Sequence, residues 1–208
     1  MARATDELKN ISGTLGNLVF YQRNGATYVR TKPTTYRDAK TEKQLLLRGR
    51  FAGCNYLYKC LQADIFRRVW KMAAKGTGKN AKNMFVRHNI HAFGKEQEIT
   101  DYQRLHFSTG LLPLPRNLEL ECRNTHDCLL HWEYDPQEAI GSPGDRLYLV
   151  EFQSNLRIRI HETGVCRRER EALFSTFYTI DKGTHLYAFW GNETGTSFSP
   201  SYYFPLGR

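Results

Sequence analysis

Ten cations, Arg48, Arg50, Lys59, Arg67, Arg68, Lys71, Lys75, Lys79, Lys82 and Arg87, fall within 40 residues that contain a single acid, Asp64. Arg67, Lys71 and Lys75 stand at i, i+4 and i+8, so on a helix they line one face. A stripe of that kind can neutralise successive phosphates and release their counterions. The polyanion-binding set read from this pattern is Arg48, Arg50, Arg67, Arg68, Lys71, Lys75, Lys79, Lys82 and Arg87. Tyr56, Tyr58 and Trp70 lie in the same stretch, where exposed aromatic rings can stack bases and buried ones pack a core. No helix-turn-helix or zinc-finger signature points to base readout, so any nucleic acid would be bound with weak sequence preference.

Other chemistry finds less support. Ala74-Lys-Gly-Thr-Gly-Lys79-Asn80 departs from a phosphate loop at its first glycine and after its lysine, and reads as a basic, helix-breaking loop. His88 and His91 sit three apart with only His106 nearby, which does not complete a metal ligand set. Cys122 and Cys128 have the wrong spacing for a zinc knuckle. In a hairpin centred near Thr125 they would face each other, as thiols in a reducing compartment. Cys54, Cys60 and Cys166 read as half-buried small residues. Glu96-x-Glu98 and Glu119-x-Glu121 have no companion acid or base, and there is no Gly-x-Ser-x-Gly elbow. Asn192-Glu-Thr194 fits a glycosylation sequon. The expectation is a non-enzymatic protein with no cofactor and no metal.

The chain has 208 residues, 40% of them hydrophobic and 25% charged, which suits one or two globular domains rather than a disordered segment. No apolar run approaches the roughly 20 residues that span a bilayer. The N-terminal stretch Met1–Gly13 carries no apolar signal region, and five cysteines imply no disulfide framework, so a cytoplasmic location is expected. Charge is split along the chain: residues 1–110 carry a net charge of +12 and residues 111–208 carry −3. Gly110-Leu-Leu-Pro113-Leu-Pro115 is the expected boundary between the two halves, because two prolines in three residues favour an extended link.

The first half reads as α+β. Leu18–Tyr21 and Thr27–Val29 flank Asn24-Gly25, the residues a tight hairpin turn requires. Thr41-Glu-Lys-Gln44 reads as a capping box. It precedes an apolar stripe of Leu47, Phe51, Cys54, Tyr58 and Leu61. Further helices are expected over about Ala63–Ala74 and about Lys79–Phe93, giving a hairpin packed on two or three helices. The run Ile11-Ser-Gly-Thr-Leu-Gly-Asn-Leu-Val-Phe-Tyr21, with Asn24-Gly-Ala-Thr-Tyr-Val-Arg30, Thr41-Glu-Lys-Gln44 and Arg48-Gly-Arg-Phe51, resembles an uncharacterised family common in Bacteroidetes. The resemblance covers about the first 60 residues; it implies a lineage and no activity.

The second half shows short alternating segments at Asn117–Cys122, Cys128–Tyr134, Arg146–Phe152, Leu156–Glu162, Leu173–Thr179, His185–Trp190 and Phe198–Phe204. Seven such segments separated by turn residues suit an antiparallel sandwich. Pro115, Leu118-x-Leu120, Leu130-x-Trp132, Tyr187-x-Phe189-x-Gly191-Asn192 and Gly195-Thr-Ser197 resemble a fibronectin type III-like domain. The resemblance implies core-packing roles for Trp132 and Tyr187, and a binding or spacer module. Arg157-Ile-Arg159-Ile-His161 is more basic than such a strand usually is, which marks an exposed strand face or a contact surface. The partner read from all this is nucleic acid or an acidic protein surface, with possible self-association through the sandwich. The alternative is a structural or assembly component, phage-like or mobile-element associated, docking on an acidic protein without nucleic acid.

Overall fold

A computed structural model describes residues 2–3, 11–23, 25–35, 38–137 and 141–206. Asn24 of the hairpin turn and most of the N-terminal stretch lie outside the described residues. The chain divides into two compact units, Met1–Thr41 and Glu42–Arg208.

The first unit is a small antiparallel sheet of β1 (Ala2–Arg3), β2 (Gly13–Leu15), β3 (Leu18–Arg23) and β4 (Ala26–Thr31), in the order β1-β4-β3-β2. The register of β3 with β4 runs from Leu18 opposite Thr31 to Arg23 opposite Ala26. Gly25 has φ +73, a conformation that favours glycine. Tyr21 and Tyr28 stack across the pair with centroids 5.7 Å apart, a cross-strand contact typical of a stable hairpin.

The second unit opens with three helices, α1 (Glu42–Cys60), α2 (Asp64–Ala74) and α3 (Ala81–Asn89). Seven strands follow: β5 (Arg116–Cys122), β6 (Asp127–Glu133), β7 (Arg146–Gln153), β8 (Ile158–Cys166), β9 (Glu171–Ser175), β10 (Thr184–Gly191) and β11 (Tyr202–Pro205). They form a four-stranded sheet, β11-β10-β7-β8, and a three-stranded sheet, β5-β6-β9. This is the α+β architecture with an antiparallel sandwich that the alternating segments announce.

The two sheets enclose one core. Leu147, Leu149, Leu186, Ala188 and Trp190 face Cys128, Leu130, Trp132, Ala172 and Phe174. Trp132 meets Trp190 edge-on at 5.6 Å and donates its indole N–H to the Arg167 carbonyl at 2.7 Å. The opposite face of β7 and β10 carries Val150, Phe152, Tyr187 and Phe189, and these share a second core with Leu57, Phe66, Val69, Trp70, Phe85 and Phe107. The helices therefore form a third layer on the back of the sandwich. Tyr187 packs a core as expected, but that of the helical layer; its hydroxyl donates to the Tyr102 carbonyl at 2.7 Å. The basic strand Arg157–His161 is explained by the same layering. Ile158 and Ile160 pack toward the helices, while on the other face Arg159 lies over the Phe177 ring and His161 stands 3.3 Å from Glu151.

The expected boundary at Gly110 is not where the compact units divide. The segment around it is stitched to the β10–β11 connection: Phe107 N–H donates to Ser201 Oγ, Ser108 Oγ–H to the Ser199 carbonyl, and Leu112 N–H to the Phe198 carbonyl. Prolines set the local backbone there, but hydrogen bonding and the shared core join the helices to the sandwich. The division between compact units falls between Thr41 and Glu42, after the hairpin and before the helices.

Charged groups inside the sandwich are paired. Arg167 and Asp145, both almost fully buried, meet at 3.2 Å. Arg167 also donates to the Pro113 carbonyl at 2.7 Å and lies over the Trp190 ring. The buried Glu151 carboxylate accepts the Phe177 and Tyr178 N–H groups, each at 2.8 Å, tying the segment after β9 to the sheet. Removing one partner of a buried pair strands the other charge. Asp145→Asn is expected to lower stability by about 3–5 kcal/mol in urea unfolding.

On α1 the stripe read from apolar spacing is shifted. Leu47 and Phe51 are exposed, and the inward positions are Gly49, Gly53, Cys54 and Leu57. Gly49 and Gly53 let the helix lie directly against the backbone of residues 93–97; a methyl group at Gly49 would overlap the Lys95 carbonyl. Alanine at an open helix position gains up to about 1 kcal/mol over glycine. Gly49→Ala is expected to do the reverse, costing about 1–3 kcal/mol by overpacking, read as a lower urea midpoint.

Candidate polyanion-binding cleft at the helix corner

α2 is amphipathic by sequence: Ile65, Phe66, Val69, Trp70 and Ala74 are buried, leaving Arg67, Arg68 and Lys71 on the outer side. Lys75 ends the helix, and Gly76 and Gly78, both with positive φ, turn the chain. Thr77 caps the turn by donating to the Ala74 carbonyl at 2.8 Å. Asn80 then starts α3, its side-chain oxygen accepting the Asn83 N–H at 2.8 Å. Such an N-cap satisfies one orphan amide and leaves the positive end of the helix dipole at this corner. Asn89 holds the other end of α3 in place, donating to the Phe85 and His106 carbonyls and accepting the His106 N–H at 2.7 Å.

The corner forms an open cleft of about 440 Å³ lined by Lys71, Met72, Ala74, Lys75, Lys79, Asn80 and Ala81. Three exposed ammonium groups and the start of α3 surround it, with no carboxylate in the lining. Met72, Ala74 and Ala81 give the lining apolar groups and the three lysines give it positive ones. This arrangement suits phosphate or carboxylate oxygens.

Of the nine expected site residues, Lys71, Lys75 and Lys79 come together here. Lys82 and Arg87 are exposed on α3 but do not line the cleft. Arg67 is exposed and 3.6 Å from Asp64. Arg68 is exposed along its edge, with its guanidinium against Gly195 in the loop after β10. Arg48 is exposed on α1. Arg50 is half-buried and its Nε donates to the Phe93 carbonyl at 2.9 Å, tying α1 to the chain after α3. The aromatic candidates also divide. Trp70 is fully buried, edge-on to Phe85 at 5.1 Å, and Tyr58 packs on the same ring at 5.2 Å. Tyr56 remains 57% exposed. The sequence reading missed the contribution of Asn80 and Ala81, although Asn80-x-x-Asn83 after a glycine turn is a legible helix start.

The histidine pairing differs from the spacing argument. His91 is exposed, whereas His88 lies between Trp70 and His106, with ring centroids at 5.7 and 6.0 Å. Among the described residues no group of three His, Cys, Asp or Glu could hold a metal ion. Asn192 of the sequon is engaged in its own loop, its side-chain oxygen accepting from Thr196 and Ser197 N–H. No described helix is long and apolar enough to cross a membrane.

No family model and no curated protein matches this chain. Among solved structures, one titled "Myokine structure" is similar at 12% identity and a TM-score of 0.34, over 47% of this chain and all of that one. The FN1-FN3 domains of chicken CNTN1 are similar at 7% identity and a TM-score of 0.33, over 49% of this chain and 33% of that one.

Burial depresses the basicity of His88, aided by His106 and Arg87, and burial likewise depresses His106. His185, stacked on Tyr102 at 3.8 Å, is depressed by burial against a weaker opposing pull from Asp181. A folded-state value below the unfolded 6.5 means the unfolded chain takes up protons first. The contribution to stability is therefore present above about pH 6.5 and is lost as pH falls toward the folded-state values. The urea midpoint is expected to drop between about pH 7.5 and about pH 5.5, with a smaller drop in His88→Gln.

Proposed function

We propose that this protein binds nucleic acid with low sequence specificity, without a reaction of its own, through the cleft at the α2–α3 corner. The observation that carries the reading is the convergence of Lys71, Lys75 and Lys79 with the start of α3 around one cleft that no carboxylate lines. Ammonium groups meet phosphate oxygens as point charges, which positions a strand without reading its bases. The exposed Lys82 on α3 and Arg67 on α2 extend the positive surface on either side of the corner in the chain. Tyr56 and Phe51, both more than half exposed on α1 beside Arg48 and Lys59, offer rings on which bases can stack.

The test is binding of the nuclease-treated protein to labelled single-stranded and duplex DNA and RNA across a salt series. Each phosphate contact contributes about 0.7 to 0.9 to the slope of log affinity against log salt. The triple variant Lys71→Gln, Lys75→Gln, Lys79→Gln is expected to flatten the slope by about 2 to 3, while Lys182→Gln on the sandwich leaves it unchanged. Absence of binding at low salt, or an unchanged slope in the triple variant, would sink the proposal. An acidic protein surface would then be the partner to seek.

A further inference from the structure

Cys122 and Cys128 stand directly opposite each other on β5 and β6, with their sulfur atoms 3.1 Å apart. Their placement follows from the turn. Arg123 N–H donates to the Asp127 carbonyl at 2.8 Å, closing the ladder one residue nearer the tip. The Asn124 side-chain oxygen accepts the His126 and Asp127 N–H groups, and Asp127 accepts from Ser175 Oγ at 2.6 Å. In an antiparallel ladder the pair next to a hydrogen-bonded pair is non-hydrogen-bonded, with its Cα atoms about 4.5 Å apart. That separation falls within the range a disulfide spans.

The two thiols differ in access. Cys128 is fully buried in the sandwich core, and burial, reinforced by the hydrogen bond with Cys122, pushes its thiol far up. Cys122 is exposed and lines the wide cleft of about 780 Å³ between β5 and β11, with Leu118, Leu120, Tyr202 and Phe204. The other cysteines lack this arrangement: Cys54 is buried, with its thiol pushed up to about 12, and Cys60 and Cys166 are half-buried.

We propose that Cys122 and Cys128 are a redox-modifiable pair that low-molecular-weight disulfides oxidise to an intramolecular disulfide. The Cys122 thiolate attacks one sulfur of the reagent disulfide, breaking its S–S bond, releasing one reagent thiolate and forming a mixed disulfide. Cys128 sulfur then attacks the Cys122 sulfur and displaces the second reagent thiolate. Its proton leaves with that group. Two protein thiols are oxidised by two electrons, one reagent disulfide is reduced to two thiols, and both protons end on the reagent. The product pins the edge strand β5 to β6 at the mouth of the cleft, so the hairpin is locked in its present register.

The experiment treats the full-length native protein with excess oxidised glutathione, quenches it with acid, alkylates it and measures intact mass and peptide linkage. The expected result is loss of two of the five free thiols, no retained glutathione, and a linkage between Cys122 and Cys128. Cys128→Ser is expected to trap one glutathione on Cys122, and Cys122→Ser to keep its remaining four thiols free. Survival of all five thiols, accumulation of the mixed disulfide in the native protein, or a linkage to any other cysteine would overturn the proposal.

Discussion

The architecture depends on burying both faces of β7 and β10. All eight residues of β10, Thr184–Gly191, are buried. In a free-standing sandwich the outer face of such a strand meets water and carries polar residues. Here alternate residues Tyr187 and Phe189 serve the helical layer, while Leu186, Ala188 and Trp190 serve the sandwich core. Each large apolar side chain so buried is worth about 1.5–3 kcal/mol. Exposing the back of the sheet would therefore forfeit several such contributions at once. The three-layer arrangement follows from this one requirement, and so does the join between segments that the proline-rich stretch makes look separable.

The charge layout follows from the same layering. The helices spend their apolar faces on the sheet, so cations on α2 and α3 can only sit outward or at the corner between them. The corner concentrates them because Lys71 and Lys75 are one turn apart and the glycine turn brings Lys79 back beside them. Arg50 is the counterexample: it lies on the buried flank of α1, and its role there is to satisfy a carbonyl. Inside the sandwich the cost of charge is met by pairing. Burial raises the Asp145 carboxyl above its usual value and lowers Arg167, while each pulls the other toward the charged form. Glu151 is held by two backbone amides and His161.

Much of this was legible in the residues. The seven strands of the sandwich, the three helices and the pairing of β3 with β4 follow from period-two alternation, period-3.6 stripes and turn residues, all of them local signals. The facing of Cys122 and Cys128 followed from a hairpin centre near Thr125. The cationic, acid-poor stretch and the i, i+4, i+8 spacing of Arg67, Lys71 and Lys75 were equally local. What stayed hidden was whatever depends on which faces meet. Leu47 and Phe51 fit a helical stripe as well as Leu57 does, but the inward face of α1 is set by the close backbone approach that Gly49 and Gly53 permit. Tyr58, Trp70 and Tyr56 are alike as candidates for stacking, and only packing against Phe85 removes the first two. The sequence by itself thus determined the elements and their charge, because propensity, capping and periodicity act over a few residues. Only the tertiary structure decided that helices and sandwich share a core, because that depends on contacts between residues far apart in the chain.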